Sequence, residues 1–323
     1  MEYRLLKHTD LNISRVSFGT MTFGSQVDEA AAALIVDRCI EAGINFFDTA
    51  NMYNRGQAEI ILGKALSGKR GSVVVASKVR APMGEAPDES GLSRTAVHRA
   101  IDETLRRLGT DYLDLYYLHW PDNATPIEET LAATHDLVRA GKVRHLAVSN
   151  YAAWQVAEIH CVSERRGYQA PHVSQPMYNL LARAIEEEYV PFCKRYEVAI
   201  VPYNPLAGGL LTGKYTAGRD PKAGGRFNNN KLYTDRYWHE DYFSAVEELS
   251  GVARDTGKTL VELALEWLLT QPHVDSVILG ASGLDQLEEN LQACEGPPLG
   301  DDVLARCDAV WRRLRGITPK YNR

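Results

Sequence analysis

The chain has 323 residues, 45% hydrophobic and 24% charged, with a formal net charge of −6. This is an ordinary balance for a folded globular protein, and the acidic excess argues against nucleic acid as a main partner. The N-terminus, Met1-Glu2-Tyr3-Arg4, has no apolar signal core, and no run approaches the ~20 residues of a membrane span. The expectation is a cytoplasmic protein without membrane attachment. Cys39, Cys161, Cys193, Cys294 and Cys307 lack CxxC or metal-ligand spacing. They read as free thiols of a reducing compartment, and no metal is expected. The sequons at Asn12 and Asn123 follow no secretory signal and read as chance.

In chain order, the first element is a short hairpin. Residues 3–6 and 11–13 flank His8-Thr9-Asp10 and are placed to plug the lower end of a barrel. Strand-like runs then fall at 16–19, 45–48, 73–78, 113–119, 145–149, 172–175, 199–203 and 276–280. Amphipathic helices are predicted between them at 28–42, 58–66, 93–108, 127–140, 153–166 and 186–196. Glycine follows three of these at Gly43, Gly109 and Gly141, where a left-handed helix cap is expected. The alternation predicts an α/β fold, a (β/α)₈ TIM barrel. A long loop at 208–240, rich in glycine, asparagine and tyrosine, comes after the seventh strand. Helices at 241–255 and 259–269 precede the last strand, and extra helices at 284–294 and 301–314 close the chain. No repeat or linker divides it, so 1–323 reads as a single domain.

Four residues sit at or just past strand ends: Asp48, Tyr53, Lys78 and His119. In a barrel those ends converge on one mouth, where active sites lie. Reduction of a carbonyl places negative charge on its oxygen, and a donor must supply a proton there. Tyr53 has the proton, and a nearby Lys78 is expected to lower its pKa. Asp48 is expected to pair with Lys78, and His119 to orient the carbonyl. Together they outline a carbonyl reductase.

Later strand ends carry Ser149, Asn150, Gln175 and Tyr203. Amide side chains both donate and accept, which suits a carboxamide, and an aromatic face suits a flat ring. Nicotinamide meets both demands. Beyond Tyr203 runs Asn204-Pro205-Leu206-Ala207-Gly208-Gly209-Leu210-Leu211-Thr212-Gly213-Lys214. Its small residues allow close backbone approach to phosphate, and Lys214 adds charge. Gly208, Gly213 and Lys214 fit GxxxxGK, but Tyr215 replaces the Ser or Thr that would hold magnesium, which excludes a P-loop. No GxGxxG follows a strand, so a nucleotide is expected to lie extended across the mouth. Met21, Met52, Trp120 and Tyr151 are candidates for an apolar substrate wall.

These segments resemble the aldo-keto reductases. Asn45-Phe46-Phe47-Asp48-Thr49-Ala50-Asn51-Met52-Tyr53, Val75-Ala76-Ser77-Lys78 and Tyr112 through Pro121 are similar to the family's three catalytic strand ends. The resemblance implies a tetrad of Asp48, Tyr53, Lys78 and His119, with Ser149, Asn150 and Gln175 on the carboxamide and Tyr203 on the nicotinamide. Asn204 through Tyr215, Gly225-Arg226-Phe227, Arg236-Tyr237-Trp238, the run from Val277 to Ser282, and Tyr321-Asn322-Arg323 resemble the aflatoxin-aldehyde and succinic-semialdehyde reductase branch. In that branch NADPH is preferred and homodimers are common.

One departure concerns the adenosine 2′-phosphate. The wider family reads it with Pro-Lys-Ser and an arginine, but residues 280–290 contain neither Lys nor Arg. Gly280, Ser282, Gln286 and Asn290 remain to contact phosphate and adenine, with Arg226 as the candidate charge. Arg323 is expected to return over the mouth and capture acidic aldehydes. Potassium-channel β subunits share this nucleotide pattern, so a regulatory nucleotide-binding subunit is the competing expectation.

Overall fold

The computed structural model describes residues 1–215, 227–228 and 230–317. An antiparallel hairpin opens the chain, β1 (Tyr3–Leu5) with β2 (Asn12–Ser14), Tyr3 facing Ser14. Eight strands come next: β3 (Val16–Gly19), β4 (Phe46–Asp48), β5 (Val74–Val79), β6 (Leu113–Leu118), β7 (Val143–Ser149), β8 (Val173–Gln175), β9 (Ala199–Ile200) and β10 (Val277–Leu279). They form one sheet in the order β10-β3-β4-β5-β6-β7-β8-β9, and each adjoining pair is parallel. The Ile200 and Pro202 carbonyls accept from the Asp275 and Ile278 amides at 2.8 and 3.1 Å, which joins the two ends of the sheet. The result is the expected (β/α)₈ fold with its N-terminal hairpin.

The helices between strands are α1 (Glu29–Glu41), α2 (Gln57–Ala65), α3 (Arg94–Leu108), α4 (Ile127–Arg139), α5 (Ala153–Arg166) and α6 (Tyr189–Tyr196). Local chemistry sets their ends. Asp28 and Ser93 accept from the amides of Ala31 and Ala96, satisfying free donors at the starts of α1 and α3. Gly109 ends α3 with φ 62°, a conformation that costs other residues a steric penalty. Along α3, Val97, Ile101, Leu105 and Leu108 recur at helical spacing and are buried against the sheet.

Strand periodicity sorts the core into two layers. Phe46, Val74, Ala76, Leu115, Tyr117, Ala147, Val173, Ala199, Val201 and Ile278 fill the barrel interior. Leu6, Leu11 and Ile13 join that interior cluster, so the hairpin seals the floor as its sequence suggests. Successive inward residues on a strand are two apart. One step above the interior layer therefore stand Asp48, Lys78, His119, Ser149, Gln175, Tyr203 and Gly280. The packing that fills the barrel is thus also what aims these side chains at the mouth.

The long loop departs from expectation. The chain turns through Ala207–Thr212 in a 3₁₀ segment, and Lys231–Tyr237 forms a helix, α7. Asn230 accepts from the Tyr233 amide and Lys231 pairs with Asp235 one turn on, so the segment carries its own cap and surface ion pair. Tyr233 and Tyr237 bury one face. The glycine- and asparagine-rich composition of the neighbouring chain concealed this signal. Then come α8 (Glu240–Asp255), α9 (Leu260–Thr270), α10 (Leu284–Gln292) and α11 (Asp301–Arg315). Among the described residues no helix is long and apolar enough to cross a membrane.

Candidate active site

Lys78 is fully buried and its ammonium has three partners. It donates to Asp48 Oδ2 at 2.5 Å, to the Thr49 carbonyl at 2.7 Å and to the Tyr53 hydroxyl at 3.3 Å. An ammonium has three protons, so all are spent. Asp48 accepts a further bond from Gln175 Nε2 at 2.7 Å. The Tyr53 ring meets His119 edge-on, centroids 6.2 Å apart. Among the described residues His119 Nδ1 is buried without a partner, which leaves Nε2 as the nitrogen open to the cavity.

The electrostatics correct one expectation. Burial pushes the Tyr53 phenol above its ordinary pKa; Lys78 pulls it down and Asp48 pushes it up, and the net direction is up. Lys78 therefore does not give a depressed phenol in this site, because desolvation outweighs it. Burial also opposes the Lys78 charge, but Asp48 and Tyr53 overcome that, and its pKa is raised. Burial, then Lys78, hold His119 well below 6.5, so the ring is neutral.

A cavity of about 600 Å³ opens over these groups. Asp48, Tyr53, His119, Ser149, Asn150, Gln175 and Tyr203 line it together with Met21, Met52 and Trp120. Asn150 Nδ2 donates to the His119 carbonyl and Ser149 Oγ, both at 2.9 Å, and Tyr203 donates to Asn150 Oδ1 at 2.8 Å. Ser149 in turn donates to the Gln175 carbonyl at 2.8 Å. The Asn150 amide protons and the Ser149 proton are thus spent within the protein. Gln175 Nε2 gives one of its two protons to Asp48, and acceptor capacity remains on Asn150 Oδ1 and Gln175 Oε1 for a carboxamide.

A second, narrower cavity of about 140 Å³ continues from the first, sharing Thr22, Asn204, Pro205, Leu279 and Gly280. Leu206, Gly208, Lys214, Ser282, Gln286 and Asn290 line it. Gly208, at φ 70°, sits where a Cβ would lie 2.7 Å from Tyr233, so only glycine fits that turn. Ser282 bonds Gln286 Oε1 through both its amide and its hydroxyl, and Asn290 Nδ2 donates to the Gly280 carbonyl at 3.2 Å. Asn204, on the wall shared by the two cavities, has a buried Nδ2 with no partner among the described residues. The joined cavities offer amide and hydroxyl groups at one end and small residues with Lys214 at the other. The donor set therefore suits a dinucleotide.

Tyr151 corrects the expected substrate wall. It is 8% exposed, packs in the outer core and lines neither cavity. Its place between the strand end and α5 turns the ring inward to the helix layer. Arg226 and Arg323 lie outside the described residues. Sequence reasoning missed Gly19, Asn204, Leu232, Tyr233 and Arg236 as cavity-lining residues. The last three ride on α7, and its Asn230 cap was the available signal. Arg236 is half-buried, and among the described residues no carboxylate pairs with it.

The profile of the Aldo/keto reductase family matches residues 15–312. The chain belongs to the aldo-keto reductase family. Aflatoxin B1 aldehyde reductase member 2 of Mus musculus is 38% identical over 323 residues, covering 94% of this chain and 86% of its own. Aldo-keto reductase family 7 member A3 of Homo sapiens is 36% identical over 324 residues, 94% of this chain and 96% of its own. A probable voltage-gated potassium channel subunit beta of Oryza sativa subsp. japonica is 37% identical over 329 residues, 99% of this chain and 100% of its own. Aldo-keto reductases are oxidoreductases that generally use NAD(P)H. Among the described residues, no cluster of His, Cys, Asp or Glu is arranged to hold a metal.

Proposed function

We propose that this aldo-keto reductase reduces aldehydes and ketones to alcohols with NADPH, and that Tyr53 is the general acid. The observation that carries the reading is the contact set of Lys78, which ties buried Asp48 to the half-buried Tyr53 on the cavity wall. When bound, the nucleotide supplies the hydride. Neutral His119 donates from Nε2 and orients the carbonyl oxygen toward the phenol. Tyr53, held protonated by its raised pKa, gives its proton to that oxygen as negative charge builds there. A nascent alkoxide is a far stronger base than a phenolate, so the transfer is downhill. Lys78, kept charged by Asp48, stabilises the phenolate left behind.

Ser149, Asn150, Gln175 and Tyr203 form the nicotinamide end of the trough. Pro205, Leu206, Gly208 and Lys214 serve the phosphates, and Gly280, Ser282, Gln286 and Asn290 the adenosine. Lys214 and the start of α10 beside Ser282 favour the more anionic nucleotide. Met21, Met52, Leu232 and Trp120 offer an apolar rim, and Arg236 adds a cation without a carboxylate partner among the described residues. That combination suits small carbonyl compounds bearing an acidic group. The same reading takes 1–323 as one domain acting in the cytoplasm, alone or as a homodimer.

The full-length similarity to a channel β subunit supports a second reading, a nucleotide-binding regulatory subunit. Turnover of 4-nitrobenzaldehyde with NADPH and with NADH separates the two. Rapid, NADPH-preferring consumption supports the reductase. Tight nucleotide binding with only sluggish turnover of every aldehyde supports the regulatory subunit.

A further inference from the structure

Arg80 is the first residue beyond β5, two positions after Lys78. Its φ is 127°, a conformation that L side chains rarely adopt. Its carbonyl accepts from the Gly91 amide at 2.9 Å, and the preceding Val79 carbonyl accepts from the His119 amide at 3.0 Å. The backbone is therefore pinned on both neighbouring segments. Strain of this kind persists only where the surroundings impose it.

The side chain makes the strained backbone intelligible. The guanidinium carbon lies 4.9 Å from the centroid of the Trp120 ring. Among the described residues, no carboxylate is within ion-pair distance of Arg80, and its Nε is buried without a hydrogen-bond partner. The Asp122 charge acts on the guanidinium from beyond ion-pair distance, and the direct contact that seats it is the stack on Trp120. Trp120 has a matching need. It stacks on His119, centroids 4.7 Å apart, and lines the carbonyl cavity. Among the described residues no hydrogen bond from its indole fixes the ring. Its orientation rests on His119 and Arg80.

We propose that Arg80 is a positioning residue for substrate recognition: its guanidinium clamps the Trp120 indole against His119 and so fixes the cavity wall that meets flat carbonyl substrates. Arg80 itself does not line that cavity. Its effect is on binding of aromatic carbonyls, not on proton transfer at Tyr53. The proposal rests on the cavity being the carbonyl site.

Three variants test it. Arg80→Gly removes the guanidinium and relieves the backbone, Arg80→Met removes the charge and keeps a stem, and Arg80→Lys keeps a cation. The expected result is a KM for 4-nitrobenzaldehyde raised about two- to fivefold in the Gly and Met variants, the scale of one exposed cation–π contact. kcat and the KM for propanal stay unchanged, and Lys restores part of the loss. In protein labelled with 5-fluorotryptophan, the resonance assigned through Trp120→Phe should shift or broaden in Arg80→Gly. Unchanged aromatic KM with an unmoved resonance overturns the proposal. So does an equal loss with both aldehydes and in kcat, which would mark a purely structural residue. If wild-type protein turns over no aldehyde, the reductase reading fails, and the fluorine resonance alone still judges the clamp.

Discussion

The two ends of the barrel are built on opposite priorities. At the floor, Leu6, Leu11 and Ile13 are at most 2% exposed and close the interior. Polar groups there are paired across elements: Asp10 with Arg144 and His145, and Lys7 and His8 with Glu197. Two non-glycine residues take left-handed φ at that end, His8 and Glu197, and each is the other's partner at 2.7 Å. At the mouth, Asn54, Arg55, Arg80, Asn150, Asn204 and Ala207 have positive φ. Among the described residues, Asn51 Oδ1, His119 Nδ1 and Asn204 Nδ2 are buried without partners there, and His172 Nδ1 is so at the floor. Unpartnered buried atoms thus occur at both ends, and what separates the mouth is its larger share of strained backbone, as is common where a chain shapes a ligand site.

The sharpest way to test the contrast is to remove a single atom at the mouth. Tyr53→Phe deletes the phenol oxygen and little else. kcat for aldehyde reduction should fall by at least about 10²-fold, the usual scale of general acid catalysis. The melting temperature and nucleotide affinity should hold. Near-normal turnover would strip Tyr53 of its role.

The opposite experiment is made at the floor. Leu11→Ala leaves a void among Ile13, Phe46 and their neighbours in the barrel interior. Denaturant unfolding should show a loss of about 2–5 kcal/mol. kcat, measured where the variant is still folded, should be unaffected. A large drop in kcat would mean that the two ends are not separable.

How much of this contrast was legible in the sequence depends on periodicity. The strands were readable because runs such as Val73-Val74-Val75-Ala76-Ser77-Lys78 have both faces buried. The convergence of Asp48, Tyr53, Lys78 and His119 was readable because polar residues at the ends of such runs have few reasons to be there. The hairpin plug was readable from Leu6, Leu11 and Ile13. What escaped was set by long-range contacts. Nothing local distinguishes Tyr151, packed inward, from Asn150, which lines the cavity beside it. The net rise of the Tyr53 pKa was hidden because desolvation depends on the whole surrounding shell. Arg236 was hidden because the composition around α7 reads as loop, and its cavity-facing position exists only once that helix docks.

Arg236 sharpens the contrast at smaller amplitude. As a cation on the cavity wall with no carboxylate partner among the described residues, it should read substrate charge and not the reacting atoms. Arg236→Ala should raise KM for succinic semialdehyde about tenfold, or ~1.4 kcal/mol. KM for an uncharged aldehyde should move little. Equal changes for both substrates would make the residue a structural part of the α7 wall.

The smallest effect is expected at a floor histidine. His172 stacks on His8 with centroids 4.1 Å apart and meets His160 edge-on at 5.1 Å, with Glu197, Lys7 and Tyr196 around the group. Burial, then the charges on His8 and His160, lower its pKa to about 4. In the unfolded chain the ring titrates near 6.5. Above that pH both states hold it neutral, and it contributes no slope. Below it, the unfolded chain takes up a proton that the folded protein refuses, so stability falls as pH drops from about 6.5 toward about 4. Solvent reaches part of the ring, so the loss is modest. His172→Gln should flatten the fall in denaturation midpoint over that window and leave kcat untouched. His119, held neutral at the mouth by burial and Lys78, contributes acid sensitivity of the same sign, and that share should persist in the variant. If the acid limb is unchanged in His172→Gln, this ring has no part in the acid sensitivity, which then falls to other groups with lowered pKa values, His160 and Asp10 at the floor and His119 at the mouth.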